Sequence, residues 1–145
     1  MGLIIDIADA VAGELNAAPP GTFSAPFTAL RRVLPQFDLP DLAQLKVVVV
    51  PKSILATAST RSATLLDATI DIGVIRKLGQ DLDSEVADLS DLVDQIGTYL
   101  RQRPLAGAPA AVWVRMQNDP IYAPDYLAEQ RTFMSVLEVV YRVLR

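Results

Sequence analysis

From Leu66 to Val74 the chain alternates without a break. Leu66, Ala68, Ile70, Ile72 and Val74 hold one parity, and Asp67, Thr69, Asp71 and Gly73 hold the other. Successive side chains leave opposite faces of a strand, so this pattern demands a sheet with one buried and one wetter face. Shortly after it, Leu82, Val86, Leu89, Val93, Ile96 and Leu100 recur at spacings of four and three, which predicts a helix over 82–100. That spacing also suits a coiled-coil seam for a partner helix, but it spans under three heptads, and Leu92 and Tyr99 widen the stripe toward a sheet-covering face. A one-sided sheet and one-sided helices bury their apolar faces on one another, which defines an α+β domain.

The remaining segments fill in that plan. Ile4, Ile7, Ala8, Val11, Ala12 and Leu15 share a helical face over Leu3 to Asn16, and Pro19-Pro20-Gly21 stops the helix. Phe27 to Leu34 reads as a strand, and 35–40 as an extended connector whose Phe37 and Leu39 dock on the core. Val47 to Val50 is a β-branched run closed by Pro51, expected to be a strand covered on both faces. Residues 53–62, rich in Ser and Thr, read as a loop too long for a tight hairpin turn. Asp81 or Asp83 is positioned to cap the 82–100 helix, Arg101 and Arg103 suit its C-terminus, and Pro104 ends it. An Ala/Gly/Pro linker over 105–111 leads to a short strand at Val112–Met116, and 117–127 reads as a loop. Thr132 to Leu144 fits either a strand or a helical face; the β-branched and aromatic residues on one parity favour a strand. The expectation is a single domain over 1–145: a mixed or mostly antiparallel sheet of about five strands on two amphipathic helices.

Composition narrows the chemistry. The chain has 145 residues, 51% of them hydrophobic, with no His and no Cys. It therefore lacks a Ser-His-Asp triad, a thiol nucleophile, a disulfide and an ordinary zinc site. No apolar run approaches the ~20 residues of a membrane helix. Met1 to Leu15 carries Asp6, Asp9 and Glu14 and lacks a basic start, so no cleaved leader is expected. The net charge of −4 rules out a general phosphate-binding field.

The remaining catalytic candidates read as surface chemistry. Asp67 and Asp71 point the same way on a strand at ~13 Å separation, too far apart for a glycosidase pair, and fit a polar sheet face. The six acids from Asp81 to Asp94 fit a solvated helix face and lack the loop pattern of an EF-hand. Neither a phosphate-binding loop nor a GxGxxG turn is present. Lys46, Lys52 and Lys77 are the only lysines, and nothing nominates one as a Schiff-base former. Trp113 beside Arg115 reads as core packing rather than a ligand contact. No catalytic residue, cofactor or metal is expected.

The ordered segments do resemble one family. They are the N-terminal helix; the connector Leu34-Pro35-Gln36-Phe37-Asp38-Leu39-Pro40-Asp41-Leu42; the strand Val47 to Pro51; and the Ser/Thr segment bearing Arg61. The strand Ala68-Thr69-Ile70-Asp71-Ile72-Gly73-Val74 follows, then the acidic helix, then Phe133-Met134-Ser135-Val136 leading into Val140-Tyr141-Arg142. This series is similar to the tail terminators and other neck or tail-completion proteins of tailed bacteriophages. The resemblance implies a virion subunit, assembled in the host cytoplasm, that forms a ring, commonly a hexamer, at the head-proximal end of the tail. Its implied partners are further copies of itself, the tail tube protein and the head–tail connector or stopper. DNA would pass through the lumen without specific binding, and no membrane, cofactor or catalytic residue is implied.

A heterologous ring needs two different patches. The polar segments 53–62 and 117–127 are the natural suppliers, making Lys52, Thr57, Ser59, Thr60, Arg61, Asn118 and Tyr122 the interface candidates. Segment 53–62 is expected to be mobile in an isolated subunit and ordered on assembly, with Arg61 contacting a neighbour. The alternative is a non-viral adaptor domain whose strands and 82–100 helix bind a cellular partner.

Overall fold

The structure is a computed structural model that describes residues 2–33, 43–119 and 121–145. The expected connector with Phe37 and Leu39 lies outside the described residues. The chain runs α1 (Leu3–Asn16), β1 (Ala29–Arg31), β2 (Lys46–Ala58), β3 (Thr64–Lys77), α2 (Leu82–Leu100), β4 (Val112–Asn118), α3 (Pro124–Gln130), β5 (Thr132–Leu144). The strands form one sheet in the order β1-β2-β3-β5-β4. β1 is parallel to β2, and the other neighbours are antiparallel. This is the expected α+β architecture, with the short α3 added to the two amphipathic helices.

The alternating strands define the layers. Ala68, Ile70, Ile72 and Val74 of β3 join Phe133, Leu137, Val139, Tyr141 and Val143 of β5 in the main core, beneath α1 and α2. α1 contributes Ile7, Val11 and Leu15; α2 contributes Leu89, Leu92, Val93, Ile96 and Leu100. Thr132 to Leu144 is thus a strand. The opposite sheet face carries a smaller cluster of Val48 and Ile75, with Val50 and Met134 packed against it. Val47, Val48 and Val49 are all buried, as expected for a strand covered on both faces.

Caps and side-chain bridges fix the ends. The Asp81 carboxylate accepts from the Ser84 N–H, capping α2. Glu85 accepts the Gly79 N–H and pairs with Arg76, tying the turn before α2 to β3. Past the helix, the Arg103 Nε donates to the Tyr99 carbonyl at 2.9 Å, and its guanidinium lies over the Tyr99 ring. The Asn16 amide acts as a substitute strand neighbour: it donates to the Ala29 carbonyl at 3.0 Å and accepts the Ala29 N–H at 2.8 Å. That amide closes the outer side of β1 at Ala29.

Three segments depart from the sequence reading. The strand expected over Phe27 to Leu34 is observed as Ala29–Arg31. β2 does not close at Pro51; it runs on to Ala58, so most of 53–62 is strand rather than loop. Within 117–127, β4 extends to Asn118 and α3 begins at Pro124. Proline at the first turn has no N–H to waste, and Asp125 beside it complements the helix dipole.

Candidate interaction surface

The outer part of β2 is built unlike the rest of the sheet. A bulge between Pro51 and Ser53 shifts the register against β3. It swaps which parity faces the helices: Val49 lies opposite Ile72 before it, and Ile54 opposite Ala68 after it. Residues 52–62 are all exposed, with Ile54 at 42% and Leu55 at 65%. The turn is closed by the Ser59 and Thr60 N–H groups, both donating to the Ala63 carbonyl. β1 pairs only with Val47, Val48 and Val49. Among the described residues, no strand lies along β2 from Val50 to Ala58 on the side away from β3. The result is an uncovered arm: a strand with one bare backbone edge and no helix over it.

The other end of the sheet is complementary in construction. β4 is the last strand, and a groove of about 670 Å³ opens between it and α2, lined by Val93, Gly97, Trp113, Met116 and Leu137 among others. Gly97 makes room there, since a Cβ at that position would stand 3.1 Å from the Met116 Sδ. Asp91 and Asp94 line the helix wall, and Arg101 and Arg115 also border the groove. Trp113 is half-buried against the core, as expected, though its indole N–H is buried with no partner among the described residues.

The open sheet face carries the charged residues. Asp67 is held by Arg142 through two hydrogen bonds of 2.8 and 3.0 Å. That guanidinium keeps its carboxyl below the usual carboxylate range. Asp71, with one oxygen buried and unpartnered among the described residues, is pushed the other way by desolvation. Lys52 bonds Glu138 at 2.7 Å, and this bond, with Asp71 nearby, raises its own ammonium. The two aspartates are therefore a paired surface acid and a desolvated one on a polar sheet face.

The candidate interface residues separate into two groups. Thr57, Ser59, Thr60 and Arg61 sit together on the arm and its turn, with Lys52 at its base. Asn118 ends β4 and spends its amide inward, donating to the Ser135 Oγ and the Val136 carbonyl. Tyr122 packs beside Phe133, with ring centroids 6.4 Å apart. The α2–β4 groove is not legible in the sequence, because its walls come from segments that only the fold brings together.

Among the described residues no cluster of three or more His, Cys, Asp or Glu is arranged to hold a metal ion. No described helix is long and apolar enough to cross a membrane. No protein-family model matches the chain, and no curated protein is similar enough to count as a relative.

Proposed function

We propose that this chain is a structural subunit of a tailed-phage neck: a tail terminator or a related head–tail joining protein. In this reading it assembles into a ring, commonly a hexamer, that ends tail-tube growth and presents a surface to the connector. It performs no bond-making of its own. The support is the ordered series of segments resembling that family, together with one structural observation. The domain presents two unlike surfaces, a bare arm at one side of the sheet and an edge strand with a groove at the other. Unlike patches favour head-to-tail contacts, which close into rings when the rotation per copy permits.

The test is negative-stain electron microscopy and mass photometry of the purified chain, alone and with assembled tail tubes. Rings that cap tubes at one end are the expected result. A particle that stays monomeric and leaves tube length unchanged would refute the reading.

A further inference from the structure

Each free edge of this sheet lacks what the other possesses. Among the described residues, the arm is a strand without a covering helix, and the β4 side is a helix-walled groove without a further strand. We infer that the outer half of β2, Ser53 to Ala58, adds to the β4 edge of a second copy of this chain, continuing the sheet from one subunit into the next. The inference rests on the assembly reading above and deepens it by naming the joint.

Strand direction fits first. Down the order β2-β3-β5-β4 every pair is antiparallel, so β2 and β4 run oppositely within one copy. Copies placed side by side in the same orientation therefore bring β4 and the next β2 together as an antiparallel pair.

Height fits as well. Through the shared registers, Val50 stands level with Asp71, Glu138 and Gln117, and Leu55 stands level with Asp67, Arg142 and Val112. The bare part of β2 and the bare edge of β4 thus overlap along the strand direction without any shift of one copy past the other.

The faces agree too. After the bulge, Ile54 and Ala56 point to the helix side, opposite Ala68 and Leu66. In a continued sheet they would enter the neighbour's α2–β4 groove, while Leu55 would join the open face beside the exposed Val112. Ser53 to Thr60 brings no charge of its own to the groove, whose rim mixes Asp91 and Asp94 with Arg101 and Arg115. Past the bulge and Pro51 at its base, the exposed edge from Ser53 to Thr60 carries apolar side chains and neither charge nor proline to guard against pairing. Main-chain hydrogen bonds supply affinity in such joints, and side-chain pockets supply specificity.

Because the chain has no cysteine, introduced pairs report cleanly. Leu55→Cys with Val112→Cys, and Ser53→Cys with Arg115→Cys, place thiols on the same face at matched height. Leu30→Cys with Val112→Cys is the control, because Leu30 lies on β1. Under mild oxidation the first two variants should give covalent ladders beyond the dimer, and the control should not. Ile54→Lys should reduce the assembled fraction about tenfold or more at fixed concentration, while its melting temperature matches the parent's at a dilution where both are monomeric.

The outcomes separate the two claims. Rings without β2–β4 crosslinks, assembling normally with Ile54→Lys, overturn the joint and leave the ring reading standing. Crosslinked multimers that never cap a tail tube uphold the joint and overturn the phage reading. A monomer up to millimolar concentration with no crosslink overturns both.

Discussion

The two halves of β2 share one partner strand and almost nothing else. From Val47 to Val49 the strand is flanked by β1 and β3 and packed on both faces, each residue at 1% exposure or less. From Lys52 to Ala58 it has, among the described residues, β3 alone and is exposed throughout. Neighbours, not residue type, account for the difference, since Ile54 and Leu55 are as apolar as the valines. The inner half is part of the buried core, and the outer half contributes no buried side chain to it.

Substitution should divide the halves sharply. Val49→Asp buries a charge without a partner and should cost about 4 kcal/mol or more, abolishing a two-state urea transition. Leu55→Lys, exposed and opposite Asp67, should stay within about 0.5 kcal/mol of the parent when both are measured as monomers in the same experiment. Equal losses would erase the distinction. Truncation gives a milder version: Ile72→Ala, in the fully buried core, should cost about 2–5 kcal/mol, and Ile54→Ala less than about 1.

Asn16 probes how β1 protects the inner half. Asn16→Ala leaves the buried Ala29 peptide without its two side-chain partners and should cost about 1–2 kcal/mol. Faster amide exchange at Ala29 and Val47 should accompany it, with none at Leu55.

The smallest effects concern the two aspartates on the open face. Asp67 titrates below its unfolded value, so its contribution is present above the ordinary carboxylate pKa and fades as pH falls through the folded one. Asp71 titrates above its unfolded value, so stability is lost as pH rises through that raised pKa. Asp67→Asn should therefore destabilise at neutral pH and become silent in acid. Asp71→Asn should stabilise at neutral pH and likewise become silent in acid. Urea midpoints between acid and neutral pH check both signs, and parallel shifts of the two variants would contradict the assignment.

Legibility in the sequence followed one-sided burial. β3, β5 and α2 each press one face on the core, so their periods are written in the order of apolar residues, and all three were readable. The outer half of β2 has no buried face. Ser53-Ile54-Leu55-Ala56-Thr57-Ala58 shows no alternation because neither side selects for it, and its Ser and Thr content mimics a loop. Only pairing with β3 makes it a strand, and that pairing is a tertiary fact. Pro51 misled for a related reason: a proline is tolerated where the strand has no neighbour on one side, and β1 has already ended. α3 did leave signals, Pro124 at its start and Asp125 beside it, obscured by the turn-like Ala123-Pro124-Asp125 string. The residues of the arm were legible as surface material, but their straight, strand-like presentation was not.

Because β1 occupies β2 only as far as Val49, it would act as an end stop in the joint inferred above. An incoming strand would slide along the arm toward the body of the subunit and be arrested there, so three residues would dictate the axial offset between adjoining copies. That offset decides whether successive copies return to the plane of the first or climb past it. Lengthening or trimming β1 would then be a way to convert a flat closed assembly into a spiral one.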